Sequence, residues 1–398
     1  MNGQDGSVYL DNNATTALDD DVLEAMMPYL THVYGNAASI SHVWGLQARK
    51  AVENAREIIA SAINAYSPGD IIFTSGATES VNLALFSPVK NGHVITSQIE
   101  HKAVLDSCAR LESAGMQVSR VAPDCYGIVL SEAVSGEIRK ETRLVSIMSA
   151  NNETGALQPI NEIGKICREQ GVVFHCDATQ SLGKIALDVR LSDISLASFS
   201  AHKIYGPKGV GALYISSREP LIELQPMMVG GGHENGLRSG TLNVAGIVGF
   251  AHAVKLAVEK QASESARIRA LRNRLWQFVV ESVPEVRLNG HPEHHLPGVL
   301  NLSFSGIDAD SLLLELPDIA LSAGSACTSA RQAPSHVLKA MGLSDAMAQA
   351  SIRIGIGRFN TEAEISYVCQ RLKVAVEALR AMNPVFRRSA GRAQDVQP

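Results

Sequence analysis

Between about Asp19 and Gln261, short apolar runs alternate with stretches of helical periodicity, and this alternation limits the folds open to the chain. Ile71–Thr74, His93–Thr96, Leu144–Met148, Val172–Cys176, Ile194–Phe199 and Val210–Ile215 read as strands. Ser80–Phe86, Lys102–Ser113 and Ile160–Glu169 read as helices between them. Strands separated by helices predict an α/β fold with a mostly parallel sheet covered on both faces. Such sheets bind ligands beyond the carboxyl ends of their strands, so the residues that follow each run are the candidates for function.

After a long helical stretch from Ala245 to about Val283 the pattern changes. Strands Val299–Phe304 and Ile352–Ile356 alternate with helices Asp310–Leu316, Ser335–Met341 and Glu362–Met382, which predicts a smaller α+β domain. The expected division is a large domain over 16–261 and a small one from 1–15 together with 262–382. A chain of 398 residues is long enough for two cores. The tail 383–398 is polar, basic and aperiodic, and reads as disordered.

No run reaches the roughly 18 apolar residues of a membrane span, and Met1–Leu10 lacks the pattern of a secretory signal, so a cytoplasmic protein is expected. The net charge of −5 argues against general nucleic-acid binding. Six cysteines, at 108, 125, 167, 176, 327 and 369, form no Cys-x-x-Cys pair. That spacing favours reduced thiols over disulfides or a zinc site. The string His291-Pro-Glu-His-His295 has no partner cysteines, and a surface loop fits it better than a metal site.

The strand ends carry a consistent chemistry. After Ile71–Thr74 comes Ser75-Gly-Ala-Thr-Glu-Ser80, where Gly76, Ala77 and Thr78 at a helix start suit a phosphate, although Thr78 is equally a helix cap. His101 follows the next strand and is suited to stacking on a flat ring or moving protons. Asn152 lies in Asn151-Asn-Glu-Thr-Gly155, which also reads as a turn. Asp177, at the end of Val172–Cys176, is able to pair with a protonated ring nitrogen, and Gln180 with a ring hydroxyl; Asp177 also suits a helix cap. Ile194–Phe199 delivers Lys203 in Ser200-Ala-His-Lys-Ile-Tyr-Gly-Pro-Lys-Gly209. Burial and a neighbouring cation, His202 or Lys208, would lower its amine pKa and make it a carbonyl-attacking nucleophile. Each signal alone is ordinary; together they describe a site for pyridoxal 5'-phosphate.

Two longer strings, Ser198–Gly209 and Ser322-Ala-Gly-Ser-Ala-Cys-Thr-Ser329, together with Tyr9-Leu-Asp-Asn-Asn-Ala-Thr-Thr16, closely resemble the cysteine desulfurases of the NifS/IscS-like type, pyridoxal phosphate enzymes of the aspartate-aminotransferase fold. The resemblance runs to about Asn360. It implies that Lys203 bears the cofactor, Asp177 faces its ring nitrogen, Gln180 its ring oxygen, and His101 stacks on the ring. It also implies that Ala77, Thr78, Ser200 and His202 hold the phosphate, and that Thr241 reaches the phosphate of a second subunit in a homodimer. Asn152 and Arg353 would hold the substrate carboxylate, and Cys327 would take sulfur from L-cysteine as a persulfide, leaving alanine. The implied acceptor is a protein of iron-sulfur cluster assembly, tRNA thiolation or DNA phosphorothioation. A selenocysteine lyase or an aminotransferase of the same fold is the rival reading.

Overall fold

The computed structural model describes residues 6–86, 92–323 and 334–383. Its larger sheet has seven strands, in the spatial order Ile71–Thr74, Gly211–Ile215, Leu196–Ser200, Val173–Asp177, Thr142–Ser146, His93–Ser97 and Gln117–Val121. Gly211–Ile215 is antiparallel to both its neighbours, and the other pairs are parallel. The mostly parallel α/β sheet read from the sequence is therefore present.

Because one strand is reversed between two parallel ones, Thr74 and Ser200 both lie opposite Gly211. The carboxyl ends of Ile71–Thr74, Leu196–Ser200 and Val173–Asp177 thus share one rim with the amino end of Gly211–Ile215. Crowding at that rim explains the glycine. A Cβ on Gly211 would fall 2.4 Å from Phe199 O and 2.7 Å from Gly76 Cα, so a side chain there would push apart the turns that form the site.

A second, antiparallel sheet orders Ser351–Gly355, Val299–Phe304 and Val286–Asn289. The amino-terminal segment joins this side: Val8–Tyr9 pairs in parallel with Ile319–Ala320, and Gly355 N donates to Leu10 O at 2.6 Å. Each sheet has its own apolar core. Phe73, Phe174 and Phe199 belong to the first, Leu300, Phe304 and Ile354 to the second.

The 39-residue helix Val244–Ser282 belongs to both cores. Ile247, Phe250 and Val254 pack in the first cluster, while Leu271, Leu275 and Val279 pack in the second. At 1.5 Å per residue it is about 58 Å long, enough to run the length of both. Among the described residues no helix is long and apolar enough to cross a membrane.

Element boundaries differ from expectation where the apolar signal is weak. The strand read as Leu144–Met148 is Thr142–Ser146, and the helix read from Ser80 begins at Ala77, its polar first turn held by Glu79 accepting from Ser75 N at 2.7 Å. Gln117–Val121, half exposed at the sheet edge, offered too few apolar residues to be recognised. The His291 string is a turn, with His291 Nδ1 accepting from Glu293 N and His294 N; its last residue, His295, is buried against Leu296 O.

Candidate active site

Beyond the shared rim lies a cavity of about 450 Å³, within the range of small-molecule sites. Ala77, Thr78, His101, Asn152, Asp177, Gln180, Ser200, His202, Lys203 and Arg353 all line it. Ten residues singled out between Ala77 and Arg353 thus converge on one space. Thr241 is exposed and does not line the cavity of its own chain. Cys327 and most of its string lie outside the described residues, as does the tail from 384.

Lys203 ends a short 3-10 turn, Ala201–Lys203, directly after its strand. Its Nζ donates to two main-chain carbonyls, Asn13 O at 2.8 Å and Ala14 O at 2.5 Å, which aim the amine into the cavity. Nothing in the sequence marked Asn13 for this role, because the contact uses backbone atoms 190 residues away.

One end of the cavity suits a phosphate. The helix Ala77–Phe86 begins there, so amides without intrahelical partners and the positive end of its dipole face the space. Ser200, His202, Lys208 and Gly209 complete the wall. Burial first, then repulsion from Lys203, Lys208 and Lys184, pushes the His202 pKa down to about 4. Its Nδ1 lies 3.0 Å from Thr15 Oγ1.

The middle suits a flat nitrogen heterocycle. Asp177 terminates Val173–Asp177 and is 7% exposed, with Oδ1 accepting from Thr179 N at 3.0 Å. A buried carboxylate there favours positive charge on a ring nitrogen beside it. His101 caps the helix Lys102–Ser113, its Nδ1 accepting from Ala103 N at 3.1 Å. That bond leaves the proton on Nε2. Burial holds its pKa below the ordinary value, so the ring is neutral near pH 7.

The other end suits a carboxylate. Arg353, on strand Ser351–Gly355 of the smaller sheet, is 2% exposed. It donates to Asp11 Oδ1 at 2.7 Å, Asn152 O at 3.2 Å and Ser322 Oγ at 3.3 Å, and among the described residues its buried Nε has no partner. A guanidinium at a cavity wall, with a donor left over, suits a carboxylate. The residues present therefore fit pyridoxal phosphate together with an amino acid.

Behind His101 sits Glu100, which the sequence reading passed over. Its Oε1 accepts from Ser97 Oγ at 2.7 Å and Met148 N at 3.0 Å, while Oε2 is buried without a partner among the described residues. Burial raises its pKa from 4.5 to about 8, and Asp177 adds to the rise. A folded pKa above the unfolded one contributes stability that is complete below pH 4.5 and is lost as pH climbs through about 8. Glu100→Gln removes this titration. Comparing denaturant unfolding at pH 5 and pH 8, the difference in stability between the two pH values is expected to shrink by roughly 2–4 kcal/mol in the variant. An unchanged difference would show that Glu100 is ionised in the fold.

The aminotransferase class-V family model matches residues 8–368. Cysteine desulfurase IscS of Anaeromyxobacter dehalogenans is 50% identical over 384 residues, covering 95% of this chain and 95% of that protein. A solved NifS-like protein superposes with a TM-score of 0.86 at 38% identity, over 93% of this chain and 99% of that one. A structure described as SspA in complex with cysteine gives a TM-score of 0.79 at 36% identity, over 89% and 100%. With the geometry above and matches that run nearly end to end, the chain belongs to the class-V aminotransferase family of pyridoxal phosphate enzymes, in its NifS/IscS-like group.

Proposed function

We propose that this cavity removes sulfur from L-cysteine, releasing L-alanine and leaving a persulfide on Cys327 that passes to an acceptor protein. The observation that carries the reading is the set of groups that line one cavity: an anion cradle at Ala77 and Thr78, Asp177 and Lys203, and the guanidinium-bearing Arg353 from the smaller sheet. With the cofactor's phosphate in the first cradle, Arg353 is left for a substrate that carries its own carboxylate next to the reacting carbon. The solved relative described with cysteine supports the choice of amino acid.

Pyridoxal phosphate, when bound, supplies an electron sink for an amino acid's Cα. Arg353 and Asn152 hold the substrate carboxylate and so fix which Cα bond faces Lys203. Lys203, which would hold the cofactor, has its amine in the same cavity and would take and return the proton at Cα. His101, neutral with its proton on Nε2, stands beside the ring and can pass a proton to the leaving amino acid. Asp177 keeps positive charge at the ring nitrogen throughout. The Cys327 thiolate attacks the substrate sulfur: an S–S bond forms, the C–S bond breaks, and its electron pair stays with carbon. That carbon then takes a proton, which gives alanine.

Thr241, exposed and not part of the lining of its own cavity, fits a role at the phosphate of a second subunit, so the working form is a homodimer. The acceptor is read as an iron-sulfur assembly scaffold, on the strength of the Ser322–Ser329 string and the IscS relatives. Incubation of the loaded enzyme with L-cysteine and a thiol reductant should yield alanine and sulfide in equal amounts. Formation of a keto acid instead would make the protein an aminotransferase, and a large preference for selenocysteine would make it a lyase of that substrate.

A further inference from the structure

Lys184 lies four residues beyond Gln180, in the turns that follow strand Val173–Asp177, and has no part in the scheme above. Its Nζ donates to Gln180 Oε1 at 3.0 Å. The opposite end of the same amide is also tied: Gln180 Nε2 donates to Asn13 O at 3.0 Å. Asn13 Nδ2 approaches Gln180 Oε1 at 3.5 Å.

The two ends of a glutamine amide are alike in shape and opposite in chemistry, so its partners decide which way it points. A main-chain carbonyl can only accept. A lysine amine, charged or neutral, has hydrogens to give. Asn13 O and Lys184 Nζ therefore select the same orientation, with Oε1 turned to the lysine and Nε2 to the carbonyl of Asn13, which lines the main cavity together with Gln180. Nε2 carries two hydrogens; one goes to Asn13 O and the second is left for the site.

We propose that Lys184 is a positioning residue for the desulfurase reaction, holding the Gln180 amide so that its donor end faces the cofactor's ring oxygen. This rests on the reading that Gln180 serves that oxygen. The connection continues to the reactive amine, because Asn13 O receives Lys203 Nζ as well as Gln180 Nε2. Asn13 O thus joins the two as a shared acceptor, and a lysine donor on Oε1 polarises the Gln180 amide and strengthens its Nε2–H as a donor.

Lys184 reaches Gln180 from outside the main cavity. It lines a smaller one of about 50 Å³ with Asn13 and Glu264. Its main-chain carbonyl accepts from Ser265 Oγ of the long helix at 2.9 Å, which fixes the base of the side chain. Burial first, and then Lys203 and Arg353, push its pKa down to about 7. Positive charge held at Lys184 in turn opposes positive charge at Lys203.

The test uses full-length enzyme loaded with pyridoxal phosphate, comparing Lys184→Met, Lys184→Arg and Gln180→Leu. Two readouts other than turnover are taken: the dissociation constant of the cofactor, and the pH midpoint of its visible absorbance change. Losing a bond from a charged donor predicts roughly tenfold weaker cofactor retention in Lys184→Met. The midpoint should move upward, because a neighbouring cation has been removed. Lys184→Arg should recover most of both effects. Wild-type midpoint and retention in Lys184→Met, with Gln180→Leu altered, would overturn the proposal while leaving the Gln180 reading intact. A lowered melting temperature with an unmoved midpoint would also overturn it, since that outcome marks a purely structural lysine. Unmoved values in Gln180→Leu would remove the reading of Gln180, and this inference with it. Should Lys184→Met fail to fold, Lys184→Gln is read by the same criteria.

Discussion

Lys203→Ala is expected to fold, to come off dialysis without a yellow cofactor, and to make alanine from cysteine roughly ten-thousand-fold more slowly. The size of the loss follows from the two tasks given to one amine, holding the cofactor and moving the Cα proton, which no neighbour is placed to take over. Lys208 lines the cavity wall but is exposed, and Lys184 is engaged with Gln180. The substitution costs the fold little. Lys203 is only half buried, and the carbonyls of Asn13 and Ala14 that it leaves both belong to residues lining a cavity open to water. Borohydride reduction of the wild-type enzyme followed by peptide mapping should label Lys203. Label at any other lysine, or an alanine variant that keeps its colour through dialysis, would place the attachment elsewhere.

Cys327→Ala should separate cofactor chemistry from sulfur chemistry. The variant is expected to keep its absorbance and its borohydride label at Lys203, and to change spectrum when cysteine is added, while sulfide release falls to background. The other thiols are poorly placed to substitute. Cys108 and Cys167 are buried, and burial pushes both up to about 12; Cys369 rises to about 11, and Cys176 is driven well above its ordinary value. At neutral pH they hold almost no thiolate, the form that attacks sulfur. Cys125 is exposed, but neither it nor any other cysteine among the described residues lines the cavity. Cys125→Ala is therefore the control, with expected wild-type sulfide release. Retained sulfide in Cys327→Ala, or its loss in Cys125→Ala, would assign the acceptor sulfur to a different residue.

What could be read from the sequence, and what could not, divides by the kind of atom involved. Asp177, Ser200 and Lys203 were legible because each follows an apolar run, and a parallel sheet gathers such positions at one rim. Arg353 needed the resemblance, since it comes from the smaller sheet and nothing local to Ser351–Gly355 says that its guanidinium crosses to the larger one. Asn13 was invisible because its contribution is a carbonyl, which every residue has. Glu100 and Lys184 escaped for another reason. A glutamate beside a histidine and a lysine after a glycine look like surface residues until burial is known, and burial here depends on packing between segments far apart in sequence. The edge strand Gln117–Val121 shows the same limit, because half-exposed strands lack the continuous apolar run that betrayed the buried ones.

The long helix Val244–Ser282 has a consequence for how the molecule comes apart. Leu271, Leu275 and Val279 cannot leave the second core without loosening the same rigid rod that carries Ile247, Phe250 and Val254 in the first. The sheet that bears Arg353 and the sheet that bears Asp177 and Lys203 are thus fastened to a shared beam, and partial melting of either side would disturb the cavity that they line together. The two cores are therefore expected to unfold together, with probes placed in each following the same transition in denaturant.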